Sequence, residues 1–330
     1  MRASSKAQRV CPECNDSLSV SRREFLAAGT AAVAAGSLGL AGAGRAFAAP
    51  TRKSAAESAV GRLYGSLTDA QRKIVALPWD DARRTKISAN WSITDAAVAN
   101  FSKEQQAIIH EILKGVTSED GYGRIVEQTN QDWGGLENYA VAIFGDPAGE
   151  KFTFELTGRH LTLRADGDTA PGAAFGGPII YGHGAKGNSS KNLFSYQTKR
   201  ANEVFAALDG KQREKALLEK APSETAVQVG AAKTLPGISC GELSADQREL
   251  VAKTLQDILK PYRKEDVDEV MEIVKAGGGM EKVQIAFYRS GDLDDDKSWY
   301  VWRLEGPTLV CHFRGAPHVH AYINVAQKAT

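Results

Sequence analysis

Three short motifs recur in the same order in the two halves of this 330-residue chain. The matched segments are 67–72 with 208–213, 101–106 with 243–248, and 152–158 with 300–306, at offsets of 141, 142 and 148 positions. A nearly constant offset is the sequence signature of a duplicated unit. We therefore predict a tandem duplication with two pseudo-equivalent halves, residues 60–185 and residues 186–330.

Each half begins with helices and continues as an antiparallel meander, which is an α+β arrangement. Ser102 and Gln105 have the spacing of a capping box, which marks the start of a helix. Ser244 and Gln247 repeat this spacing in the second half. Alternating apolar residues predict strands over 139–144, 152–156, 161–164, 283–288, 299–304, 309–313 and 319–325. The segment 165–195 is rich in Gly, Pro and Ser, which predicts a long, partly irregular connection between the two halves.

The N-terminal region has the three parts of a twin-arginine signal peptide over residues 21–48. Arg22 and Arg23 precede a Phe-Leu step, and an Ala- and Gly-rich run follows without a charge until Arg45. The Ala46-Phe47-Ala48 step then matches the small-x-small pattern that signal peptidase cleaves. The run is too short and too poor in large apolar residues for a transmembrane anchor.

Export defines the remaining boundaries and the first expected partners. We predict a signal peptide over residues 1–48 and a flexible mature N-terminus over 49–59, with a periplasmic or extracellular location. The partners that follow are the twin-arginine translocation machinery and signal peptidase. Because this route carries folded proteins, it suits a chain that acquires a cofactor before export.

The charge of the mature chain excludes one class of partner. The leader contains six of the 41 basic and three of the 40 acidic residues, so the net charge falls from +1 to −2. No basic block remains that could follow a phosphate backbone, so we expect no nucleic-acid partner. No later apolar run is long enough for stable membrane insertion. Cys240 and Cys311 either pair in an oxidising compartment or remain two buried thiols.

The strongest candidate for chemistry is the strand at 318–325, in which polar and apolar residues alternate without a break. The alternation places His318, His320 and Tyr322 on one face and the aliphatic residues on the other. Two histidines at positions i and i+2 of a strand are close enough to bind one ion.

A second polar strand face follows Gly158, where His160, Thr162 and Arg164 point away from the leucines between them. We predict that His160 joins His318 and His320 as a ligand of one divalent transition metal, which could be zinc, copper or iron. The other candidate ligand-binding residues are Arg159, Arg164, His183 and Tyr322.

The chain resembles the family catalogued as domain of unknown function 3500. The resemblance rests on Arg22-Arg23, the capped Gln helices, Gly158-Arg159-His160-Leu161, and Gly306-Pro307 with His318-Val319-His320. It extends from about Leu63 to Val325, and Arg159 stands where the family's usual Gly-His-His-Leu step has its first histidine. The resemblance implies the fold and the histidines, and it implies no particular reaction.

Three classes of function are compatible with these features. The first is an exported metal-dependent enzyme that uses the histidine cluster in hydrolysis or oxidation. The second is a periplasmic or secreted protein that binds a small ligand or anion without catalysis. The third is a structural protein of the cell envelope. Metal analysis of the exported protein separates the first class from the others.

Overall fold

The computed structural model describes residues 49–187, 189–290 and 298–327, so the signal peptide predicted at 1–48 lies outside the described residues. The helices of the described chain are α1 (Ala55–Ser66), α2 (Asp69–Val75), α3 (Lys103–Val116), α4 (Glu119–Trp133), α5 (Ser195–Ala207), α6 (Gly210–Ala216), α7 (Ala245–Leu259) and α8 (Lys264–Ala276). None of these helices is both long enough and apolar enough to cross a bilayer.

The strands of the described chain form one mostly antiparallel sheet, so the predicted α+β class is confirmed. They are β1 (Ala76–Leu77), β2 (Ala140–Gly145), β3 (Phe152–Gly158), β4 (Leu161–Ala165), β5 (Ile179–Lys186), β6 (Leu217–Leu218), β7 (Ile238–Ser239), β8 (Gln284–Tyr288), β9 (Val301–Gly306), β10 (Leu309–Arg314) and β11 (His318–Val325). Each of the seven strands expected from alternation has a counterpart, shifted by no more than two residues at either end.

The strand order reads the same from both edges of the sheet. From one edge it is β1-β2-β3-β4-β5, and from the other it is β6-β8-β9-β10-β11, with β7 attached to β8. Both short edge strands, β1 and β6, pair in parallel with their neighbours, whereas the other pairs are antiparallel. The two series meet where β5 pairs with β11, so the sheet continues from one half of the chain to the other.

Strand β5 lies within the segment 165–195, which was expected to be partly irregular, and the sequence did not predict a strand at Ile179–Lys186. The composition obscured this strand because Gly182 and Gly184 lie within it. Glycine is needed at both positions because neighbouring groups approach the backbone closely. A Cβ atom at Gly182 would lie 2.2 Å from the carbonyl oxygen of Val319 on β11. Glycine at this position therefore permits the central strand pair to form.

The helix starts repeat in the two halves, as the capping boxes predicted. Ser102 and Gln105 form the box of α3, and Ser244 and Gln247 form that of α7. In each half, the capping glutamine of the long helix is also hydrogen-bonded to the capping glutamine of the preceding short helix. Gln71 of α2 donates to Gln105 over 2.9 Å, and Gln212 of α6 donates to Gln247 over 3.1 Å.

The two faces of the sheet have different cover. The helices pack on one face, where Val319, Ala321 and Ile323 of β11 belong to the main hydrophobic core. Loop residues cover the other face, and Ala89 and Val227 pack there in a smaller apolar cluster. The polar residues of β11 lie on this second face, as their alternation predicted.

The two cysteines of the described chain are free and buried. Burial raises the pKa of the Cys240 thiol and that of the Cys311 thiol, each to about 12. Both side chains belong to the main core beneath the helices. They therefore act as small apolar side chains there.

Candidate metal centre

His160 lies in the two-residue turn that joins β3 to β4, between Gly158 and Leu161, which pair across the hairpin. Its φ of +57° is in the left-handed region, where a residue with a Cβ atom is strained. The backbone N–H donates to the carbonyl of Ala89 over 2.6 Å, and the side chain is 4% exposed. This conformation directs the imidazole over the neighbouring strand, where a Cβ atom on Gly182 would be 3.4 Å from His160 Cβ.

His318 and His320 are the first and third residues of β11, and they lie on the face opposite the helices. Their Nε2 atoms lie 3.0 Å apart. The register between β5 and β11 shifts between His318 and Val319, where β5 carries two extra residues. Such a bulge bends a strand and redirects the side chains beside it.

The structure brings the three histidines together. The ring centroids of His160 lie 4.9 Å from those of both His318 and His320, which are themselves 4.7 Å apart. One nitrogen from each ring lies within 4.8 Å of the other two. Two nitrogens bound to one zinc ion at about 2.0–2.1 Å cannot be more than about 4.2 Å apart. In the tetrahedral arrangement of zinc two such nitrogens are about 3.4 Å apart, so side-chain movements of about 1 Å bring the three rings to a shared ion.

A carboxylate at the end of α4 fixes the ring of His160. Asp132 Oδ2 lies 2.7 Å from His160 Nδ1, and because a carboxylate only accepts, the ring proton is on Nδ1. The lone pair of Nε2 is then free for an ion. Gln128 donates to the same oxygen over 3.0 Å, and the N–H of Gly184 donates to the other oxygen over 2.8 Å.

A second carboxylate, on the loop that follows β6, supports His320 in the same way. Glu224 Oε2 lies 2.8 Å from His320 Nδ1, so this ring also carries its proton on Nδ1 and offers Nε2. Arg314 at the end of β10 pairs with the other oxygen of Glu224 over 2.8 Å. Each half of the chain thus contributes one carboxylate that orients a histidine.

Arg314 also lies against the open side of the cluster. Its Nη2 atom is 3.3 Å from His318 Nε2 and 3.1 Å from His320 Nε2. The same atom also lies 2.8 Å from His320 Nδ1, although that nitrogen already donates to Glu224. A positive group therefore faces the two lone pairs that would hold an ion.

The electrostatics keep the rings of His318 and His320 neutral and the carboxylates charged at neutral pH. Burial, with His320 and His160 as neighbours, lowers the pKa of His318 to about 4. Burial also lowers the pKa of His320, against the opposing effect of Glu224. For Glu224 burial would raise the pKa, but the hydrogen bond from His320 and the charge of Arg314 bring it down to about 2. Asp132 has a lowered pKa because its hydrogen bonds outweigh its burial.

The remaining candidate residues lie at different distances from the cluster. Arg159 is exposed beside His160, and its carbonyl accepts from Gln128 and from Tyr139. Tyr322 is the next residue along the polar face of β11, with its ring centroid 6.1 Å from that of His320. Both therefore stand at the edge of the site.

The structure does not bring Arg164 or His183 into the cluster. Arg164 is fully buried farther along β4, where it pairs with Glu155 over 2.6 Å. His183 is buried behind the cluster, with Nε2 2.8 Å from Gln131 and Nδ1 accepting from the N–H of Leu193. Both of its ring nitrogens are used within the fold.

Sequence reasoning did not find Asp132, Glu224 or Arg314. Asp132 sits at the end of a helix and Glu224 in a loop, where acidic residues are ordinary. The one available signal for Arg314 was parity, because it shares the polar face of its strand with His312. Glu224 and Arg314 also line a cavity of about 550 Å³ that adjoins the histidines.

A family model described as "Protein of unknown function (DUF3500)" matches residues 50–326. The chain belongs to the DUF3500 family. The resemblance inferred from the sequence is thereby confirmed, and the matched residues of this DUF3500 chain include the three histidines and both supporting carboxylates. Neither the curated proteins nor the solved structures contain a match to it.

Proposed function

We propose that His160, His318 and His320 bind one divalent transition metal ion, with zinc as the first choice, and that the chain is an exported metal-dependent hydrolase. The observation that carries this proposal is the pairing of carboxylates with two of the three histidines. A carboxylate on Nδ1 fixes the tautomer, orients Nε2 and makes it a better ligand, which is the usual arrangement behind metal-binding histidines.

The donor set suits borderline metals. Three neutral imidazoles leave the full charge on a zinc ion, and tetrahedral zinc then has a fourth position for water or substrate. A metal held by these three residues would supply an activated water as the nucleophile near neutral pH. Asp132 and Glu224 hold the ligands in place, because each bonds a ring at 2.7 or 2.8 Å.

Arg314 is the residue that responds to the ion. Its guanidinium faces the Nε2 atoms of His318 and His320 at 3.3 and 3.1 Å, so an ion bound there repels it. Its bond to Glu224 keeps it nearby, at the wall of the adjoining cavity. The ion and the guanidinium then present two separate positive groups to a substrate.

Elemental analysis of the protein matured through its own export route tests the metal centre. We expect one ion per chain, and we expect His160→Gln, His318→Gln and His320→Gln each to lose it. His110→Gln is the matched control, because His110 lies on α3 outside the cluster. If the wild-type chain neither contains an ion nor takes up added zinc, the metal-dependent enzyme is rejected. A noncatalytic protein that binds a small ligand or anion is then the better assignment.

We also propose export by the twin-arginine route to the periplasm or the medium. The support is the Ser21-Arg22-Arg23-Glu24-Phe25-Leu26 segment with its downstream cleavage pattern. Replacing Arg22 and Arg23 together by Lys keeps the charge and removes the guanidinium groups. We expect the precursor to accumulate in the cytoplasm, as measured by cell fractionation, and unchanged export of the double variant would contradict the proposal.

We further propose that the two halves arose by tandem duplication. The support is the common strand order and the paired glutamines Gln71–Gln105 and Gln212–Gln247. The test is to align the halves of many family members with each other. Gln105 should fall with Gln247 and Gly158 with Gly306. Alignment of the halves in any other register would remove the support from the sequence repeats.

A further inference from the structure

The cavity beside the histidine cluster has the size and the walls of a small-ligand pocket. Its volume is about 550 Å³, within the roughly 300–1,000 Å³ of typical ligand sites. Strands β10 and β11 form its floor, and the loop 221–225 forms its roof. Glu224 and Arg314 line this cavity and also contact the histidine cluster, so the cavity lies beside the proposed ion.

Two polar atoms at this cavity lack a hydrogen-bond partner among the described residues. One is Nδ1 of His312, whose side chain is only 1% exposed, and the other is Nε of Arg314. A buried polar atom without a partner destabilises the fold unless something binds it. His312 and Arg314 are two residues apart on β10, so both side chains lie on the same sheet face. Both residues line the cavity, and both atoms stay buried until a ligand or a side-chain movement exposes them.

The chemistry of these two atoms favours an oxygen acid. In the tautomer with its proton on Nδ1, His312 donates. Arg314 has an unpartnered Nε, and a bound ion would also free its Nη2 from the histidines. A carboxylate accepts two such bonds side by side. Glu224 already neutralises the charge of Arg314 over 2.8 Å, which favours a single negative charge over a phosphate dianion.

The rest of the cavity is suited to a compact, partly apolar body. Ala221, Pro222 and Val301 contribute apolar surface, and Tyr322 contributes an aromatic ring. Tyr322 stands directly across the strand pair from His312, in the β10–β11 register. The row that begins with His318 and His320 thus continues through Tyr322 into the pocket.

We infer that this cavity binds a small organic monocarboxylate, with its carboxylate held by His312 and Arg314 and its remaining functional group directed toward the three histidines. This inference rests on the proposed metal centre for the place of reaction, but the carboxylate pocket is formed by other residues. It narrows the proposed hydrolase to substrates such as esters or amides that also have a free carboxylate.

Calorimetric titration with benzoate tests the pocket, using the zinc-loaded mature chain and the zinc-free chain in parallel. Benzyl alcohol and phenyl phosphate are the neutral and dianionic comparisons. We expect benzoate to bind both forms of the protein and to bind the zinc-loaded form more tightly. Each comparison ligand should bind at least about tenfold more weakly, because it lacks a matched carboxylate.

His312→Phe is the decisive variant, because it fills the space of the ring and removes the donor. We expect benzoate affinity to fall by about tenfold or more while zinc content is unchanged. Unchanged affinity would overturn the pocket, since benzoate would then be bound by the ion alone. If His312→Phe does not fold, a crystal structure of the wild-type chain with benzoate decides, and a carboxylate outside hydrogen-bond reach of His312 rejects the inference.

The two proposals can fail separately. A chain that binds no zinc but binds benzoate through His312 retains the pocket and loses the hydrolase. A chain that binds zinc through the three histidines but does not bind benzoate retains the metal centre and loses the pocket.

Discussion

Asp132 Oδ2 lies 2.7 Å from Nδ1 of His160, and this bond joins the end of a helix to a strained turn between two strands. The carboxylate is itself held by Gln128 and by the N–H of Gly184. His160 therefore has a defined tautomer and orientation before any ion binds. The strain of its left-handed φ is the cost of placing the ring there.

The first prediction concerns this supporting bond. We expect Asp132→Asn to weaken zinc binding by roughly 10- to 100-fold, because a metal-binding histidine that loses its carboxylate hydrogen-bond partner usually binds the metal that much more weakly. The measurement is the zinc dissociation constant by competition with a chelator. Asp120→Asn on the same helix is the control, since Asp120 pairs with Arg124 on the surface. Equal affinities for the two variants would contradict the role of Asp132.

The second prediction uses the glycine that bonds Asp132. A Cβ atom at Gly184 would lie 2.6 Å from Asp132 Oδ1 and 3.4 Å from His160 Cε1. We expect Gly184→Ala to displace the carboxylate and to weaken zinc binding by about tenfold. Gly210→Ala is a matched control, because nothing lies within 4 Å of the added atom there. Zinc binding by Gly184→Ala that equals that of the control would show that the contact relaxes without moving His160.

The third prediction concerns stability at the ion pair of Glu155 and Arg164, which are both fully buried and 2.6 Å apart. We expect Glu155→Gln to lower the free energy of unfolding by about 3–5 kcal/mol, because Arg164 is left as an uncompensated buried charge. Glu203→Gln breaks an exposed pair with Arg200 and should cost about 0–1 kcal/mol. Urea unfolding measures both, and similar costs would mean that Arg164 is solvated.

The fourth prediction is a pH dependence centred on His312. Burial, assisted by Arg303 and Arg314 and opposed by Glu224, lowers its pKa from 6.5 to about 4. Between these values the unfolded chain holds a proton on His312 that the folded chain does not, so this residue destabilises the fold as pH falls. The stability that comes from burying His312 as a neutral ring is fully present at neutral pH. This stability is lost as pH falls from 6.5 to about 4.

His312→Phe removes this titration, so its stability relative to the wild type should improve by up to about 3 kcal/mol across that range. Urea unfolding of metal-free protein at several pH values gives the comparison. Using the difference between two variants matters, because buried carboxyls such as Asp266, whose pKa burial raises to about 7, change stability in the opposite direction. A difference that is constant from pH 7 to pH 4 would contradict the prediction.

Alternation and repetition made much of the fold predictable. The alternation at 318–325 was enough to place His318, His320 and Tyr322 on one face, because side-chain direction in a strand depends only on parity. Strand β5 was not predicted because Gly182 and Gly184 obscure the alternating pattern. Glycine is required at these two positions by close contacts with β11 and with Asp132.

The support of the site was not predictable in the same way. Asp132 and Glu224 reach the histidines from a helix end and a loop, and no local pattern separates such acids from solvated ones. Their partners lie 28 and 96 positions away in the chain. Such contacts depend on how whole elements pack, which short-range periodicity does not encode.

The central pairing of β5 with β11 also has a consequence for timing. During synthesis β11 leaves the ribosome after the other ten strands of the described chain, and two of the three histidines are on it. His160 and Asp132 are therefore translated first, and the three-histidine cluster is complete only when β11 pairs with β5. Under the proposed metal centre, an incomplete chain cannot capture the ion, so a captured ion would report that the chain has finished folding.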